Sequence, residues 1–484
     1  MAGIGFELKK LFKATGVLSI LRAYGYTGMI TAGPMLLGIL FLLGINGTGK
    51  AFGLDKNGQD LLVCMITYSL LGSIMLTSAC SMVVTRYIAD MLYQEHEERI
   101  LPSLEGICSI LLPPGAVISI IFLAFAGISH TLIVLNFILF MELTVVWMEM
   151  NYLTAIKNYQ GILLSYVFAI VTSFCAAYLG CVVFGVSDEV LMAAVCIGYG
   201  IMMCMDMILL YRFFPSEQAH FYEFLHWFDE FQSLALIGLF TNIGLFSHLV
   251  IAWMSKIGEQ VQGLYYGAPQ HDVAALFAFI TILMTTINFV ASVEVNFYPK
   301  YRAYYDLFNG TGSIMEIEQA EKEMLTVLDH ELTYTARKQF YLTAVMLSLG
   351  LVVLNRLPLG FDAMMEGYFR ILCIGYGAYA IGNVLMLILL YFTDYEGARA
   401  ASAIFALSTT AGCILSLFLN AKYYGFAFAI GSMLYFGVCW FRLNSYTQKL
   451  PYHILSTQPI VAVPRYGFFS KISDLLEHEG GTAR

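Results

Sequence analysis

Polar residues break the chain into long apolar runs of near-constant length. A helix needs about 20 mostly apolar residues to cross a bilayer. Twelve runs qualify: 24–45, 61–84, 104–126, 131–150, 162–184, 190–211, 233–255, 273–297, 339–355, 367–391, 402–420 and 424–443. The ninth is the shortest. Between 313 and 338 the period changes: Ile317, Met324, Leu328 and Leu332 recur at helical intervals among charges, which predicts a helix outside the membrane. The segment 212–232, rich in aromatic and acidic residues, predicts a helix lying along the membrane interface.

Composition supports this reading. Of 484 residues, 59 % are hydrophobic and 12 % charged, with a mean hydropathy of +0.73. A soluble domain carries about 25 % charge, so the pattern is that of a polytopic, all-α integral membrane protein. The ten cysteines all fall in or beside apolar runs, and none forms a CxxC or Cys/His metal spacing. They read as small packing residues, and no metal or cofactor is expected.

Basic residues set the orientation. With the N-terminus inside, inner segments hold 19 of the 25 Lys and Arg, and only Lys50, Lys56, Lys256, Arg356, Arg370 and Lys422 fall outside. Both termini are then expected on the cytoplasmic side of the inner membrane. The opening MAGIGFELKKLFKATG puts Ile4, Leu8, Leu11 and Phe12 on one helical face and Lys9, Lys10 and Lys13 on the other. This predicts an uncleaved amphipathic helix on the inner leaflet, with Glu7 paired to a basic residue of the bundle.

The expected organisation has four parts. An N-terminal lobe covers 1–211 and a linker 212–232. A C-terminal lobe covers 233–443 and includes the inner helical loop 298–338. A tail covers 444–484. RYIADMLYQ (86–94) and KYRAYYDLF (300–308) follow the second span of each half. Both carry a basic residue, tyrosines and an aspartate, which suggests two pseudo-symmetric six-helix lobes.

GINGTGKA (44–51) nearly fits a P-loop, but Ala51 replaces the magnesium-binding hydroxyl and no strand precedes it. It reads as a Gly-rich outer loop. No nucleophile elbow, HExxH or dinucleotide motif is present, and no catalytic residue is assigned. The energy source is therefore external: a gradient, or the push of a polymerising partner. Charges inside spans are costly and mark paths or partners. The candidate transport path comprises Glu142, Glu149, Asp206, Glu294 and Arg370, with Tyr376, Tyr379 and Asn383 as a second cluster. Glu142 and Glu149, seven residues apart, share a helix face. His248 reads as a packing residue. Gly33-Pro34 is a possible hinge.

The segments MAGIGFELKKL, RAYGYTGMITAGPMLLG, RYIADMLY, MNYLTAIKNY, FYPKYRAYY and YFTDYEGARAA, in this order, resemble the PelG family of exopolysaccharide transporters. That family is similar to flippases of the multidrug/oligosaccharidyl-lipid/polysaccharide (MOP) superfamily. The resemblance implies two six-helix lobes with alternating access. It also implies movement of an amino-sugar-rich polymer across the cytoplasmic membrane for a biofilm. The implied partners are a cytosolic PelF-like glycosyltransferase, a PelD-like cyclic-di-GMP receptor and a PelE-like membrane protein. The alternative on this architecture is a cation-coupled antiporter or lipid-linked-sugar flippase, with Glu142 and Asp206 as coupling sites. A membrane glycosyltransferase is disfavoured by the short outer loops. A scaffold for a cytosolic synthase is compatible with the first reading.

Overall fold

The structure, a computed structural model, describes residues 38–156, 159–216, 219–356, 361–457 and 465–482. Eleven helices among them are long and apolar enough to cross a membrane. They correspond in order to the second to twelfth expected spans. The amphipathic start, Glu7, Gly33-Pro34 and most of the first span lie outside the described residues.

The chain folds into two compact units. The first contains Gly33–Ala268, joined by the C-terminal segment Ala462–Arg484. Its helices are α1 (38–51), α2 (Lys56–Tyr93), α3 (Ile100–Ala124), α4 (His130–Leu153), α5 (Tyr159–Phe184), α6 (Asp188–Phe213), α7 (Leu225–Glu230) and α8 (Gln232–Trp253). The second unit contains Pro269–Val461. It holds α9 (Pro269–Phe279), α10 (Thr281–Ser292), α11 (Tyr298–Asn309), α12 (Ile314–Val345), α13 (Leu351–Leu354), α14 (Ala363–Tyr391), α15 (Tyr395–Ser416), α16 (Tyr424–Thr447) and α17 (Leu450–Thr457). The last helix, α18 (Phe468–Thr482), belongs to the first unit. Helices suit the bilayer because each satisfies its own backbone. Ends that reach water are capped by side chains, as Ser129, Ser187, Asp362 and Asp394 do for α4, α6, α14 and α15.

Compactness divides the chain at 268/269, which places Gln232–Trp253 in the same unit as the described helices before it. Its helix α8 packs directly on α2, because Gly238 lets the Ser78 carbonyl reach the α8 backbone. Some expectations are corrected. The stretch 44–51 is helix, not loop. Two of its glycines serve close packing: a Cβ on Gly49 would stand 2.7 Å from Leu191 Cδ1, and one on Gly44 would strike the Phe174 ring. Among the described residues of 212–232 the helix is the short α7, which with its cap buries Phe224, Leu225, Phe228 and Asp229. Arg99–Glu223 at 2.8 Å and Trp227 Nε1–Asp90 Oδ2 at 2.8 Å pin it to the ends of α3 and α2. The 313–338 helix and the ninth span are one rod, Ile314–Leu354, opened by a Ser313/Glu316 capping box.

The connection after α8 is a small antiparallel hairpin, β1 (Glu259–Gln262) and β2 (Tyr265–Gly267), which the hydropathy pattern does not reveal. Its turn residue Gly263 has φ +54° and lies against the Ala126 carbonyl, where no Cβ fits. Tyr68 holds the hairpin: its hydroxyl donates to Tyr266 O at 3.0 Å and accepts from Tyr266 N at 3.2 Å. The Tyr68 ring stacks on Trp253 at 4.6 Å.

The sequence echo between the halves has a structural counterpart. Arg86 pairs with Asp90 at 3.0 Å at the end of α2, and Arg302 with Asp306 at 3.5 Å in α11. Each is an i, i+4 pair on a helix that follows or ends the second span of its half.

Candidate transport site

In the first unit, α4 and α6 run parallel and face each other along an acidic seam. Glu142 Oε1 fills the space left by Gly200, where a Cβ would lie 2.8 Å away. The carboxyl borders a shallow, largely open depression lined also by Cys196, Ile201, Cys204 and Met205. Seven residues on, Glu149 is fully buried, as is Asp206. The two are close enough for their charges to oppose each other. Neither carboxyl has a hydrogen-bond partner among the described residues. The neighbouring Ser165 hydroxyl donates to the Ile162 carbonyl at 2.8 Å instead. None of the three acids forms an ion pair with a described residue. A buried carboxylate without a partner is expensive, which sets this seam apart from ordinary core packing.

In the second unit the polar groups join α10 to α12. Asn288 Nδ2 donates to Thr335 Oγ1 at 2.8 Å, and Lys338 Nζ donates to Asn288 Oδ1 at 2.7 Å. Asn296 Nδ2 donates to Glu331 Oε1 at 2.8 Å, and Thr285 donates to Gln339. A π-turn at Val293–Phe297 interrupts this ladder, and another, Met346–Gly350, follows α12. Such turns are rare and often mark functional positions. The Glu294 side chain lies outside what the structure describes.

The remaining candidates are not gathered into one site. Arg370 is exposed and pairs with Glu366 one turn earlier at 3.0 Å. Tyr376 and Tyr379 are buried in aromatic packing, with Phe428 at 4.7 Å and Phe405 at 5.5 Å respectively. Asn383 is half-buried on the same helix.

A family model of exopolysaccharide exporters, PelG (EPS-E), matches residues 1–455. The chain belongs to the PelG family. No curated protein matches it. Among solved structures, the PelG-family chain is similar to an inward-facing multidrug resistance MATE family transporter of the MOP superfamily. The TM-score is 0.58 at 12 % identity, covering 88 % of this chain and 99 % of that one. It is also similar to an outward-facing MATE structure, with TM-score 0.56, 13 % identity, and 88 % and 96 % coverage. A third similar structure is a MOP superfamily transporter from Pyrococcus furiosus, with TM-score 0.54, 11 % identity, and 88 % and 96 % coverage. At these identities the likeness establishes the fold. The PelG-family chain is therefore a multi-pass membrane transporter with the two-lobe MATE fold, not an enzyme.

Two features of the PelG-family chain escape a search for charges. One is a hydroxyl ladder on α2: Ser69, Ser73, Thr77, Ser81 and Thr85, each four residues apart. Trp147 Nε1 donates to Ser73 Oγ at 2.9 Å, and Ser69 donates to Asn136 at 3.1 Å. The other is the Asn288–Gln339 ladder. Their signal is Ser, Thr and Asn at helical spacing inside apolar runs, which neutral hydropathy hides.

Proposed function

We propose that the protein moves an amino-sugar-rich, Pel-like exopolysaccharide across the cytoplasmic membrane, with both termini on the cytoplasmic side. The match to the exporter family over residues 1–455 carries this reading. In it, the chain works beside a cytosolic PelF-like glycosyltransferase, a PelD-like cyclic-di-GMP receptor and a PelE-like membrane protein. The proposed polar path comprises Glu142, Glu149, Asp206, Glu294, Arg370, Tyr376, Tyr379 and Asn383. The test is a deletion strain, with surface polysaccharide measured by a lectin for N-acetylated amino sugars. Loss of surface signal with the cytosolic transferase still active supports export. An unchanged surface signal overturns it.

A second reading is supported by one observation: Glu149 and Asp206 are buried, adjacent and without hydrogen-bond partners. This fits coupling of transport to a proton or cation, as in an antiporter or lipid-linked-sugar flippase of the same superfamily. Uptake or efflux into proteoliposomes under an imposed proton or sodium gradient, with and without Asp206→Asn, tests it. Gradient-independent transport sinks it.

A further inference from the structure

The second unit carries a row of rings that joins α11 to the ends of the candidate spans Ala363–Tyr391 and Ala421–Thr447. On α11, Tyr298, Tyr301 and Tyr305 are spaced three and four residues apart and share a face. Tyr298 and Tyr301 stack with centroids 6.3 Å apart and planes 21° apart, and Tyr301 to Tyr305 is 4.5 Å. Tyr391 and Phe392, at the end of α14, stand 5.9 and 6.1 Å from Tyr301. Tyr446 lies near Tyr305 and stacks on His453 at 4.2 Å and 8°. Tyr452 continues the row at 5.5 Å from His453 and is 67 % exposed.

Three observations separate this row from ordinary core packing. Five of its rings are half-buried: Tyr298, Tyr301, Tyr305, Tyr391 and His453 keep a share of exposed surface, while Phe392 and Tyr446 are buried beneath them. They are fixed in advance, because Tyr301 Oη donates to Tyr391 O at 2.9 Å and Tyr446 Oη to Phe392 O at 3.1 Å. Tyrosine is also kept where phenylalanine would pack more cheaply. Tyr304, beside Tyr305, buries a hydroxyl with no hydrogen-bond partner among the described residues, a state that costs free energy.

The neighbouring charges pair off locally: Lys300 with Glu323 at 2.8 Å and Arg302 with Asp306 at 3.5 Å. The charges flanking Tyr301 on α11 thus compensate one another, while Glu321 acts on Tyr304 and Arg442 lies 5.8 Å over the Tyr446 ring. Ring faces suit the C–H faces of sugars, while hydroxyls at the ring edges offer hydrogen bonds.

We propose that the ridge Tyr298–Tyr301–Tyr305, continued by His453 and Tyr452, is a binding site for sugar residues of a neutral, N-acetylated chain. The assignment rests on the export reading and adds where the second unit holds the polymer, at the ends of its candidate spans. It also removes the need for charged residues to recognise an acetylated glycan.

The test uses the full-length protein in nanodiscs and an N-acetylglucosamine oligosaccharide bearing a diazirine. Photolabel on peptides covering 298–308 and 446–453 is the expected result. Tyr298→Ala and Tyr452→Ala should each weaken binding about three- to tenfold, while Tyr305→Phe, which keeps the ring, should change it less. Tyr452 is exposed enough that its truncation leaves folding intact. Label confined to other peptides, or normal affinity in both alanine variants, overturns the ridge and leaves export standing. Variants that lower membrane insertion while the inserted fraction binds normally show interfacial anchors and overturn it too. Absence of binding by the unaltered protein also overturns the ridge, whereas the export reading is decided separately by the deletion strain.

Discussion

Asp229 and Ser470 lie 241 residues apart and are joined by two hydrogen bonds. Asp229 Oδ2 accepts from Ser470 N at 2.7 Å and from Ser470 Oγ at 2.6 Å. The same carboxylate accepts from Gly467 N at 3.1 Å and Phe469 N at 3.3 Å. A side chain of the linker thus caps the start of the C-terminal helix α18 from outside it. Ser473 Oγ donates to Tyr222 O at 2.8 Å and Tyr222 N donates to Glu477 at 2.9 Å. These hold the rest of the helix in place.

Asp229→Ala removes the cap and leaves several backbone donors unmet. It should cost the docked tail about 1–2 kcal/mol. Hydrogen exchange at 468–477 should then speed up by roughly five- to thirtyfold, with amides of α4 and α6 unchanged. Equal exchange in both proteins counts against the cap.

Docking should respond to pH with a definite sign. Burial pushes the Asp229 carboxyl up, but the hydrogen bonds from Ser470, Phe469 and Gly467 outweigh it and hold the group below the usual carboxylate range. A lowered folded value means the stabilisation is present above the unfolded value of about 3.9 and is lost as pH falls through the folded value. Tail protection, corrected for intrinsic exchange, should be flat from neutral pH to about pH 5 and should decline only in stronger acid. A decline already centred near neutral pH would count against Asp229 as the responsive group.

Arg442 meets Asp394 with two bonds, Nε to Oδ2 at 2.6 Å and a terminal nitrogen to Oδ1 at 2.8 Å. The partners differ in exposure, at 42 % for the Arg442 side chain and 4 % for Asp394. Arg442→Gln strands a buried carboxylate and should cost about 1–3 kcal/mol, less than a fully buried pair because the arginine is open to solvent. Asp394→Asn keeps the cap on Gly397 and frees an arginine that water can solvate, so its cost should be smaller. Melting of the purified protein in detergent compares the two. The reverse order contradicts the asymmetry.

Asp206→Asn should behave unlike a core lesion. The buried carboxyl has no partner to lose, so the melting temperature should hold or rise by roughly 2–4 °C. A fall of several degrees would mean the acid is bonded in the folded protein.

Gly238→Ala places a methyl against the Ser78 carbonyl across the α2–α8 contact. Helices in membranes approach closely through such small residues. The overpacking should cost about 1–3 kcal/mol. A variant that melts with the parent protein shows that the helices separate freely.

Much of the architecture was legible because the bilayer imposes one simple rule on every span. The second to twelfth runs of apolar residues emerge as helices in the expected order. The paired motifs at 86–94 and 300–308 emerge as matching Arg–Asp turns. Legibility failed where a residue type has two uses. Gly44 and Gly49 read as loop but serve close packing inside a helix. The charges of 313–338 read as a separate element, yet helix propensity carries the rod unbroken into the ninth span. The polar hairpin after α8 depends on Tyr68, nearly 200 residues away.

The candidate site divides in the same way. The place of Asp206 within an apolar run and the sharing of a face by Glu142 and Glu149 followed from hydropathy and helical periodicity, whereas the full burial of Glu149, near the end of its run, did not. Arg370 was equally visible, but its Glu366 neighbour and exposure were not. Hydropathy sums residues along one strand of sequence, so it fixes which segments enter the membrane and which charges they carry. Only tertiary packing sets one helix against another. That packing left Glu149 and Asp206 together without partners and aligned the tyrosines of α11 with the ends of α14 and α16. It also returned the C-terminal helix to Asp229, because these pairings depend on close fit between segments hundreds of residues apart.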